Sequence, residues 1–417
     1  MRLLRLPGFG PLLAGQAVNA IGNWVAVIAI WGFASFQFDA GAGDIALLFV
    51  ALSLPGALLG PLLGVLIDRL GPRRSLIVAN ALGFLDALAL TQADSYGAVI
   101  VLALPLGLIE ALASASLDAL PPRLVDDRDL VRANALLGGA QDLAIVVGPV
   151  VAALVNARWG LGAAFLADAA TFLVGLAVVV PLDADHTIEA SRPSARRELR
   201  EGLSLVRGTP GLRWTFGVAG VTYVLWGLFG VLEPLYVRDV LGATDTTFAL
   251  LQTVFGIGLV GSGLSIAALG DRVATPGCVA LATVVSGATA ALYLGTESLA
   301  VATFGVFLWG VDVAFFYVPA KTLLQRFTPR RAHGRVLSLN ESLEPLAELL
   351  VAPVAAVAVG VVGIRLLGVG GGILAAGAGV VALLLARRLG PLPVLVDPDP
   401  RAGTQRDAIA LGGHTPG

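Results

Sequence analysis

The chain has 417 residues, of which 57% are hydrophobic and only 13% are charged, and its formal net charge is −2. Soluble domains carry about 25% charged residues, so the composition indicates a chain surrounded largely by lipid, and the near-neutral charge gives no general attraction to nucleic acid. The single cysteine, Cys278, and the single lysine, which follows an alanine, exclude an intrachain disulfide, a cysteine metal cluster and a phosphate-binding G-K-[ST] loop.

Apolar segments long enough to cross a membrane recur along the chain. A spanning helix needs about 20 predominantly apolar residues, and twelve segments meet this requirement. They cover 11–37, 45–67, 75–93, 98–119, 134–156, 160–181, 213–238, 247–269, 276–294, 298–319, 337–359 and 363–386. We therefore predict an all-α membrane protein with twelve transmembrane helices.

The basic residues predict how these helices are oriented. With the N-terminus placed in the cytoplasm, 24 of the 27 lysine and arginine residues fall on the cytoplasmic side, and only Arg158, Arg238 and Arg365 fall on the other. Cytoplasmic loops of membrane proteins are enriched in basic residues. We therefore expect both termini to be cytoplasmic.

The longest internal polar stretch, residues 182–212, divides the chain into two six-helix halves, 1–181 and 213–388. Within this linker, Leu199, Leu203 and Val206 recur at helical spacing among charged residues. This pattern predicts a short amphipathic helix on the cytoplasmic face. Residues 389–417 are rich in proline, glycine, aspartate and threonine, and we expect this cytoplasmic tail to be disordered.

The two halves repeat each other at a nearly constant spacing. Asp68-Arg69 recurs 203 residues later as Asp271-Arg272, and other landmarks keep within one residue of this offset. Because each copy contains an even number of helices, both copies enter the membrane from the same side and are related by an axis along the membrane normal. The predicted fold is therefore a pair of pseudo-symmetric halves, with a substrate site at their interface near the middle of the membrane.

Two segments carry a resemblance to a known family. Residues 64–74 read GVLIDRLGPRR, which resembles the G-x-L-x-D-R-x-G-x-R-R signature of the major facilitator superfamily, with Pro72 in place of the usual basic residue. Residues 130–155, LVRANALLGGAQDLAIVVGPVVAALV, resemble the drug–proton antiporter branch, especially its macrolide and siderophore exporters. Gly148 and Pro149 match the antiporter motif of that branch, whereas alanines stand at several positions where glycine is usual.

The resemblance implies a secondary active transporter that works by alternating access in a bacterial plasma membrane. The function it favours is proton-coupled efflux of a small amphipathic organic compound, such as a drug, an antibiotic or a siderophore, by a monomer. No cofactor or metal is expected, and an enzyme is not expected. Two alternatives remain open at this point: a proton symporter or facilitator that imports a nutrient, and a non-transporting membrane sensor.

Residues 64–74 are also a candidate gate. Three arginines would anchor this loop in the cytoplasm, but they do not explain Asp68, which recurs as Asp271. A carboxylate at a helix end can pair with an arginine or a helix N-terminus in one transport state and release it in another. The candidate gating residues are Gly64, Asp68, Arg69, Gly71, Arg73, Arg74, Asp271 and Arg272, with Asp118 and Glu344 as candidate partners.

Acidic residues within the predicted helices are candidate proton carriers, because ionisable groups in a membrane are costly and usually functional. Glu110 and Asp312 fall on the fourth and tenth helices, nearly one repeat apart, and the resemblance places both helices beside the central cavity. Desolvation favours a neutral carboxyl, so either residue could exchange a proton near neutral pH; Asp142 is a third candidate. The alternative is structural hydrogen bonding, which we expect for Asp86 and Asp168 on the outer helices.

Polar residues on the first helix are candidates for the cavity wall. Gln16, Asn19 and Asn23 are spaced by three and four residues, so they share one helix face. Such a stripe could hydrogen-bond a substrate or a neighbouring helix. The candidates for the facing wall on the seventh helix are Tyr223, Trp226 and Glu233.

Overall fold

The computed structural model describes residues 3–6, 8–126, 129–183, 195–329 and 332–388. The predicted tail at 389–417 and residues 184–194 of the predicted linker lie outside the described residues. The same holds for a few side chains within helices, among them those of Asp68, Asp142 and Asp271.

Twelve long helices make up most of the described chain, and no strand occurs in it. They are α1 Phe9–Gly32, α2 Ala42–Leu70, α3 Pro72–Leu90, α4 Tyr96–Asp118, α6 Leu130–Trp159, α7 Leu161–Val179, α9 Pro210–Leu235, α10 Asp245–Leu269, α11 Pro276–Gly295, α12 Leu299–Phe327, α14 Leu343–Val362 and α15 Ile364–Arg388. Three short helices lie between them: α5 Pro121–Leu124, α8 Ala195–Gly208 and α13 His333–Glu341.

Ten of these helices are long and apolar enough to cross a membrane, counted over the described residues. The other two long helices, α2 with 29 residues and α3 with 19, complete the bundle. Helix α3 is less apolar than the ten because it carries three charged residues, Arg73, Arg74 and Asp86. The prediction of an all-α membrane protein built from twelve helices in two halves is confirmed.

The eleventh predicted span, 337–359, differs in one respect from the structure. The helix is interrupted at Ser342, between α13 and α14. The Ser342 hydroxyl donates a hydrogen bond to the carbonyl oxygen of Ser338 at 2.9 Å, and serine hydroxyls that bond back to the preceding turn often bend helices.

The repeat is visible in the backbone as well as in the sequence. A π-helical segment continues α1 at Phe33–Gln37, and another continues α9 at Tyr236–Val240. Gly160 and Gly363, again 203 residues apart, both have positive φ, at 83° and 79°. This conformation favours glycine, and in each half it allows the chain to reverse directly between two consecutive helices.

Helix packing follows the same pseudo-symmetry. In the first half α2 packs on α4 and α3 packs on α7, and in the second half α10 packs on α12 and α11 on α15. Gly107 of α4 lies so close to the carbonyl oxygen of Leu52 that a Cβ there would overlap it. Gly310 of α12 is equally close to the carbonyl oxygen of Phe255. Gly310 and Phe255 lie 203 positions after Gly107 and Leu52, so the same contact occurs in both halves.

The two ends of the bundle differ in how the halves meet. At the end where Phe33–Gln37 and Tyr236–Val240 lie, one apolar core includes buried residues of both halves, among them Phe33, Phe165 and Phe229. At the opposite end, near α5, α8 and α13, each half has an apolar cluster of its own. We call these the closed end and the linker end. The halves are therefore joined at the closed end and separate towards the linker end.

Candidate functional site

A cavity of about 980 Å³ lies between the two halves. Helices α1, α4 and α6 of the first half and α9, α10, α12 and α14 of the second contribute to its wall. Its lining reaches from Gly230 in the middle of the bundle to Leu117 and Leu264 near the linker end. The cavity thus occupies the interface between the repeats and extends towards the end where their apolar clusters are separate.

The polar stripe of α1 lies on the cavity wall. Gln16, Asn19 and Asn23 all line the cavity. Glu110 of α4, whose side chain lies near that of Asn23, also lines it. The Asn19 side-chain oxygen is buried and accepts no hydrogen bond from the described residues. The predicted polar stripe is therefore on the cavity wall, and one of its acceptors has no partner among the described residues.

Acidic groups outnumber basic groups on the described cavity wall. Glu110, Glu344 and Glu348 line it, and Lys321 is the cation there. The Tyr317 hydroxyl donates to Oε2 of Glu344, and Lys321 Nζ lies 3.8 Å from Oε1 of Glu341. Because one ammonium cannot neutralise three carboxylates, the cavity is negative when its glutamates are ionised.

Aromatic rings form much of the remaining wall. Trp226 stacks on Tyr317 with ring centroids 5.5 Å apart, and Phe255 lies 5.1 Å from Trp309. The Trp226 indole N–H is buried and has no hydrogen-bond acceptor among the described residues. Aromatic faces beside carboxylates form an environment that attracts organic cations.

The three candidates on α9 are placed differently by the structure. Trp226 lines the cavity, whereas Tyr223 and Glu233 do not appear on its wall. Tyr223 is buried and accepts a hydrogen bond from Asn340 Nδ2 at 3.3 Å. Glu233 lies nearer the closed end than Gly230, beyond the point where the cavity stops.

Glu233 is enclosed by partners from neighbouring helices. Gln252 Nε2 donates to its Oε2 at 2.8 Å, and the Tyr293 hydroxyl donates to its Oε1 at 3.0 Å. The side chain is only 5% exposed. Both carboxylate oxygens are thus occupied by α10 and α11, so this residue holds three helices of the second half together.

The two main candidates for proton coupling are not brought together. Glu110 faces the cavity, whereas Asp312 is buried and accepts a hydrogen bond from Ser286 of α11. The residue that corresponds to Glu110 at the 203-residue offset is Val313, which lines the cavity. Successive residues on a helix are rotated by about 100°, so Asp312, one residue before Val313, points away from the cavity and towards Ser286. The Asp142 side chain lies outside the described part.

The candidate gating motif lies at the linker end. Gly71, with φ 85°, separates α2 from α3. Arg73 donates to the carbonyl oxygens of Val179, at 3.4 Å, and Val180 at the end of α7. Asp68 and Asp271 belong to the side chains that are not described, so a role for Asp68, Arg69 and their repeat as a latch stays a prediction.

The other motif residues have distinct positions. Asp118 ends α4 at the linker end, and Glu344 is on the cavity wall beside Tyr317. Gly148 packs against α1 so closely that a Cβ would overlap Cβ of Trp24. Pro149 follows it within α6. Gly148 therefore sets the approach of α6 to the helix that carries the polar stripe.

A polar contact across the closed end was not identified from the sequence. Arg238, in the π-helical segment after α9, donates to the carbonyl oxygens of Ser35 at 2.6 Å and Ala40 at 2.9 Å. It also lies 3.0 Å from Oδ1 of Asp39. The indication in the sequence was that Arg238 is one of three basic residues predicted to lie on the non-cytoplasmic side, where basic residues are rare.

A second polar contact crosses the interface nearby. Asn156 Nδ2 at the end of α6 donates to Oδ2 of Asp245 at the start of α10, at 2.7 Å. The rings of Phe36 and Phe248 also meet there, with centroids 6.3 Å apart. These contacts and the shared apolar core close this end of the cavity.

Comparison with known proteins explains this arrangement. A sequence model of the Major Facilitator Superfamily matches residues 12–232 and again 215–411, one match for each half. The chain belongs to the Major Facilitator Superfamily. It is therefore an integral membrane transporter, and the cavity between its halves is where this family would hold a small-molecule substrate.

Bacterial efflux proteins are among its relatives. Macrolide efflux protein A of Streptococcus pyogenes is 25% identical over 362 residues, which cover 81% of this chain and 86% of that protein. Multidrug efflux pump Tap of Mycobacterium bovis (strain BCG / Pasteur 1173P2) is 28% identical over 370 residues, covering 82% and 85%.

Among solved structures, the chain resembles a bacterial homologue of the human lysosomal transporter Spinster, in an inward-facing and unoccupied conformation. The TM-score is 0.68 at 12% identity, and the alignment covers 91% of this chain and 95% of that one. At this identity the likeness shows the fold.

Proposed function

We propose that this transporter exports amphipathic organic cations from the cytoplasm in exchange for protons. The observation that carries the proposal is the composition of the cavity wall. Three carboxyls and one ammonium lie among aromatic side chains there, in a space of about 980 Å³. Such a wall attracts a positively charged, apolar molecule and disfavours an anionic one such as a carboxylate siderophore.

Glu110 is the group we assign to proton exchange. It lies on the wall near Asn23, and no arginine or lysine of the described residues is paired with it. A carboxylate there binds a cation, whereas a protonated carboxyl does not attract it. Proton and substrate therefore compete for the same group, which is the simplest basis for exchange.

The direction of transport follows from the predicted topology. The excess of arginine predicts a cytoplasmic linker end, and the cavity extends towards that end while Arg238 joins the two halves at the other end. A cytoplasmic compound would enter this state. Release requires the opposite state, reached by rocking of the halves about the cavity. The efflux relatives support export over import.

The test uses everted membrane vesicles that contain the protein, with ethidium as the cationic probe and calcein as the anionic comparison. We expect ethidium to accumulate when the vesicle interior is acid and to stop accumulating when nigericin collapses the pH gradient. Glu110→Gln should abolish the response to the gradient, whereas Asp94→Asn, an exposed acid in a loop at the closed end, should retain it. Accumulation that is independent of the gradient, or a preference for calcein, would contradict the proposal.

A further inference from the structure

Helix α8, Ala195–Gly208, packs on α9 and α13 at the linker end. Gly202 is buried against α13, where a Cβ would overlap the side chain of Leu339. Glu201 pairs with Arg335 of α13, with Oε2 and Nη1 2.7 Å apart. Leu205 packs against the apolar cluster of the second half. These residues define the side of α8 that is attached to the protein.

The opposite side of α8 is exposed, and it is both apolar and basic. Leu199 and Leu203 are 52% and 38% exposed, and Arg200 and Arg207 are exposed beside them. At about 100° per residue, the two leucines are about 40° apart, and both arginines lie within about 60° of Leu203. We call these four residues the exposed face of α8. An apolar strip bordered by arginine is typical of a helix that lies in a membrane interface.

The packing of α9 on α15 fixes the level of the end of α8 in the bundle. The Trp214 indole N–H donates to the carbonyl oxygen of Ala382 at 3.2 Å, so these two residues lie at one level. The two helices run in opposite directions. Thr209, five residues before Trp214, is therefore level with Arg387, five residues after Ala382. The last turn of α8, which ends just before Thr209, lies at the level of Arg387.

Arg387 marks where the lipid-facing surface of α15 ends. Ile373, Val380 and Leu384 are exposed, and at about 100° per residue they share one side of that helix with Arg387. Exposed apolar stripes on a membrane-spanning helix face lipid, and an arginine near the end of such a helix extends to the headgroups. The end of α8 therefore lies at about the level of the bilayer surface.

The arginines at this level have no acidic partner in the described part of the chain. Arg200, Arg207 and Arg387 are exposed and form no ion pair there. Arg213 adds a fourth positive charge, because its Nη1 donates to the carbonyl oxygen of Arg207 at 3.2 Å and is held at the end of α8. Glu201 lies on the other side of the helix, towards α13. This surface is therefore positive.

We propose that the exposed face of α8, together with Arg213 and Arg387, binds anionic phospholipid headgroups at the bilayer surface. Guanidinium groups bind phosphate in a planar, bidentate geometry, so the arginines pair with the phosphates while Leu199 and Leu203 lie among the acyl chains. The positive charge favours an anionic headgroup over a zwitterionic one, and the adjoining leucines favour a lipid over a soluble phosphate. The site is separate from the cavity and does not depend on proton exchange.

Lipid binding at α8 has a consequence for the cavity wall. Through Glu201 and Arg335, α8 is joined to α13, and the chain continues through the bend at Ser342 into α14. Helix α14 carries Glu344 and Glu348 of the cavity wall. An α8 bound to the bilayer surface therefore holds the start of this cavity-lining segment in place.

The first test measures whether the exposed face contacts lipid. Leu203→Cys and Ser204→Cys, each in a Cys278→Ala background, are labelled with bimane in nanodiscs that contain phosphatidylglycerol and phosphatidylcholine. Ser204 is exposed on the adjoining side of the helix and is the matched control. We expect a nitroxide near the top of the acyl chain to quench the label at 203 more strongly than at 204, and aqueous iodide to quench in the reverse order. Stronger iodide quenching at 203 would show that this face lies in water and would overturn the proposal.

The second test measures headgroup preference at the same label. Nitroxide-labelled phosphatidylglycerol and phosphatidylcholine are compared as quenchers of the label at 203. We expect phosphatidylglycerol to associate more strongly, and Arg200→Gln with Arg207→Gln to lower this preference by about tenfold. Arg158→Gln with Arg365→Gln removes the same charge at the closed end and should retain the preference.

Two results would overturn headgroup binding even if α8 touches lipid. One is equal quenching by the two lipids when all the arginines are present, which needs no variant to fold. The other is displacement of labelled phosphatidylglycerol by inorganic phosphate but not by chloride at equal ionic strength, which would assign the arginines to a soluble anion. Neither result bears on ethidium transport, so the proposed function is tested separately.

Discussion

Arg238 donates a hydrogen bond at 2.6 Å to the carbonyl oxygen of Ser35, the residue 203 positions earlier and therefore its counterpart in the other half. Both lie in the π-helical segments that end α1 and α9. Carbonyl groups at the end of a helix lack intrahelical donors, and the guanidinium supplies donors to two of them. Equivalent positions in the two halves therefore have opposite parts in this hydrogen bond: the side chain of Arg238 donates, and the carbonyl oxygen of Ser35 accepts.

We expect removal of this guanidinium to favour opening of the closed end. In Arg238→Ala the interface loses contacts to Ser35, Ala40 and Asp39, and hydrogen bonds from charged groups contribute about 1.5–3 kcal/mol each. The open population should rise by about tenfold or more. Cysteines at positions 156 and 245, in a Cys278→Ala background, should then cross-link less efficiently.

Arg365→Ala is the matched control for this measurement. Arg365 also lies on the predicted outer side, but it donates to Glu297 and to the carbonyl oxygen of Gly295, both in its own half. Its loss should leave the cross-link between positions 156 and 245 unchanged. Equal loss of cross-linking in both variants would show that Arg238 has no special part in closing the interface.

Alanine at either of the paired glycines should destabilise the fold to a similar extent. A Cβ at Gly107 or Gly310 overlaps a backbone carbonyl of the neighbouring helix, which cannot rotate away. Overpacking of this kind costs about 1–3 kcal/mol. Thermal unfolding in detergent should show a lower Tm for both variants, and Gly97→Ala, where nothing lies within 4 Å, should resemble the unmodified protein. A large effect at one glycine alone would contradict their structural equivalence.

Glu348→Gln should weaken the binding of organic cations. Glu348 is on the cavity wall, where its Cα lies close to Gly227 of α9, and glutamine preserves its shape without its charge. Loss of one favourable charge contact worth about 1.4 kcal/mol corresponds to a tenfold weaker Kd. Ethidium titration monitored by fluorescence measures this change. Glu297→Gln, remote from the cavity, serves as control, and unchanged affinity in Glu348→Gln would argue against recognition by charge.

Glu233→Ala should affect stability and leave substrate affinity unchanged. The substitution leaves the Gln252 amide and the Tyr293 hydroxyl without their acceptor, and each unsatisfied buried group costs about 1–3 kcal/mol. A lower Tm with an unchanged ethidium Kd in the folded protein is the expected result. A changed Kd at unchanged Tm would instead return Glu233 to the substrate site.

The sequence by itself was sufficient for the fold. Hydrophobic segments of membrane length predicted the twelve helices, and the recurrence at 203 residues predicted two similar halves, because lipid requires long apolar helices and a duplicated chain repeats its landmarks. The spacing of Gln16, Asn19 and Asn23 placed them on one face of α1, and the structure has that face on the cavity wall.

Only the tertiary structure decided which acids share an environment. Asp312 lies one residue before Val313, which is the counterpart of Glu110 in the second half. Because one residue turns a helix by about 100°, Glu110 faces the cavity whereas Asp312 contacts Ser286. The contact of Asp312 with Ser286 and the reach of Arg238 to Ser35 join residues that are distant in the chain. Hydropathy fixes where a helix lies along the chain, but its rotation and its neighbours depend on close packing between helices, which the residue pattern of one helix does not contain.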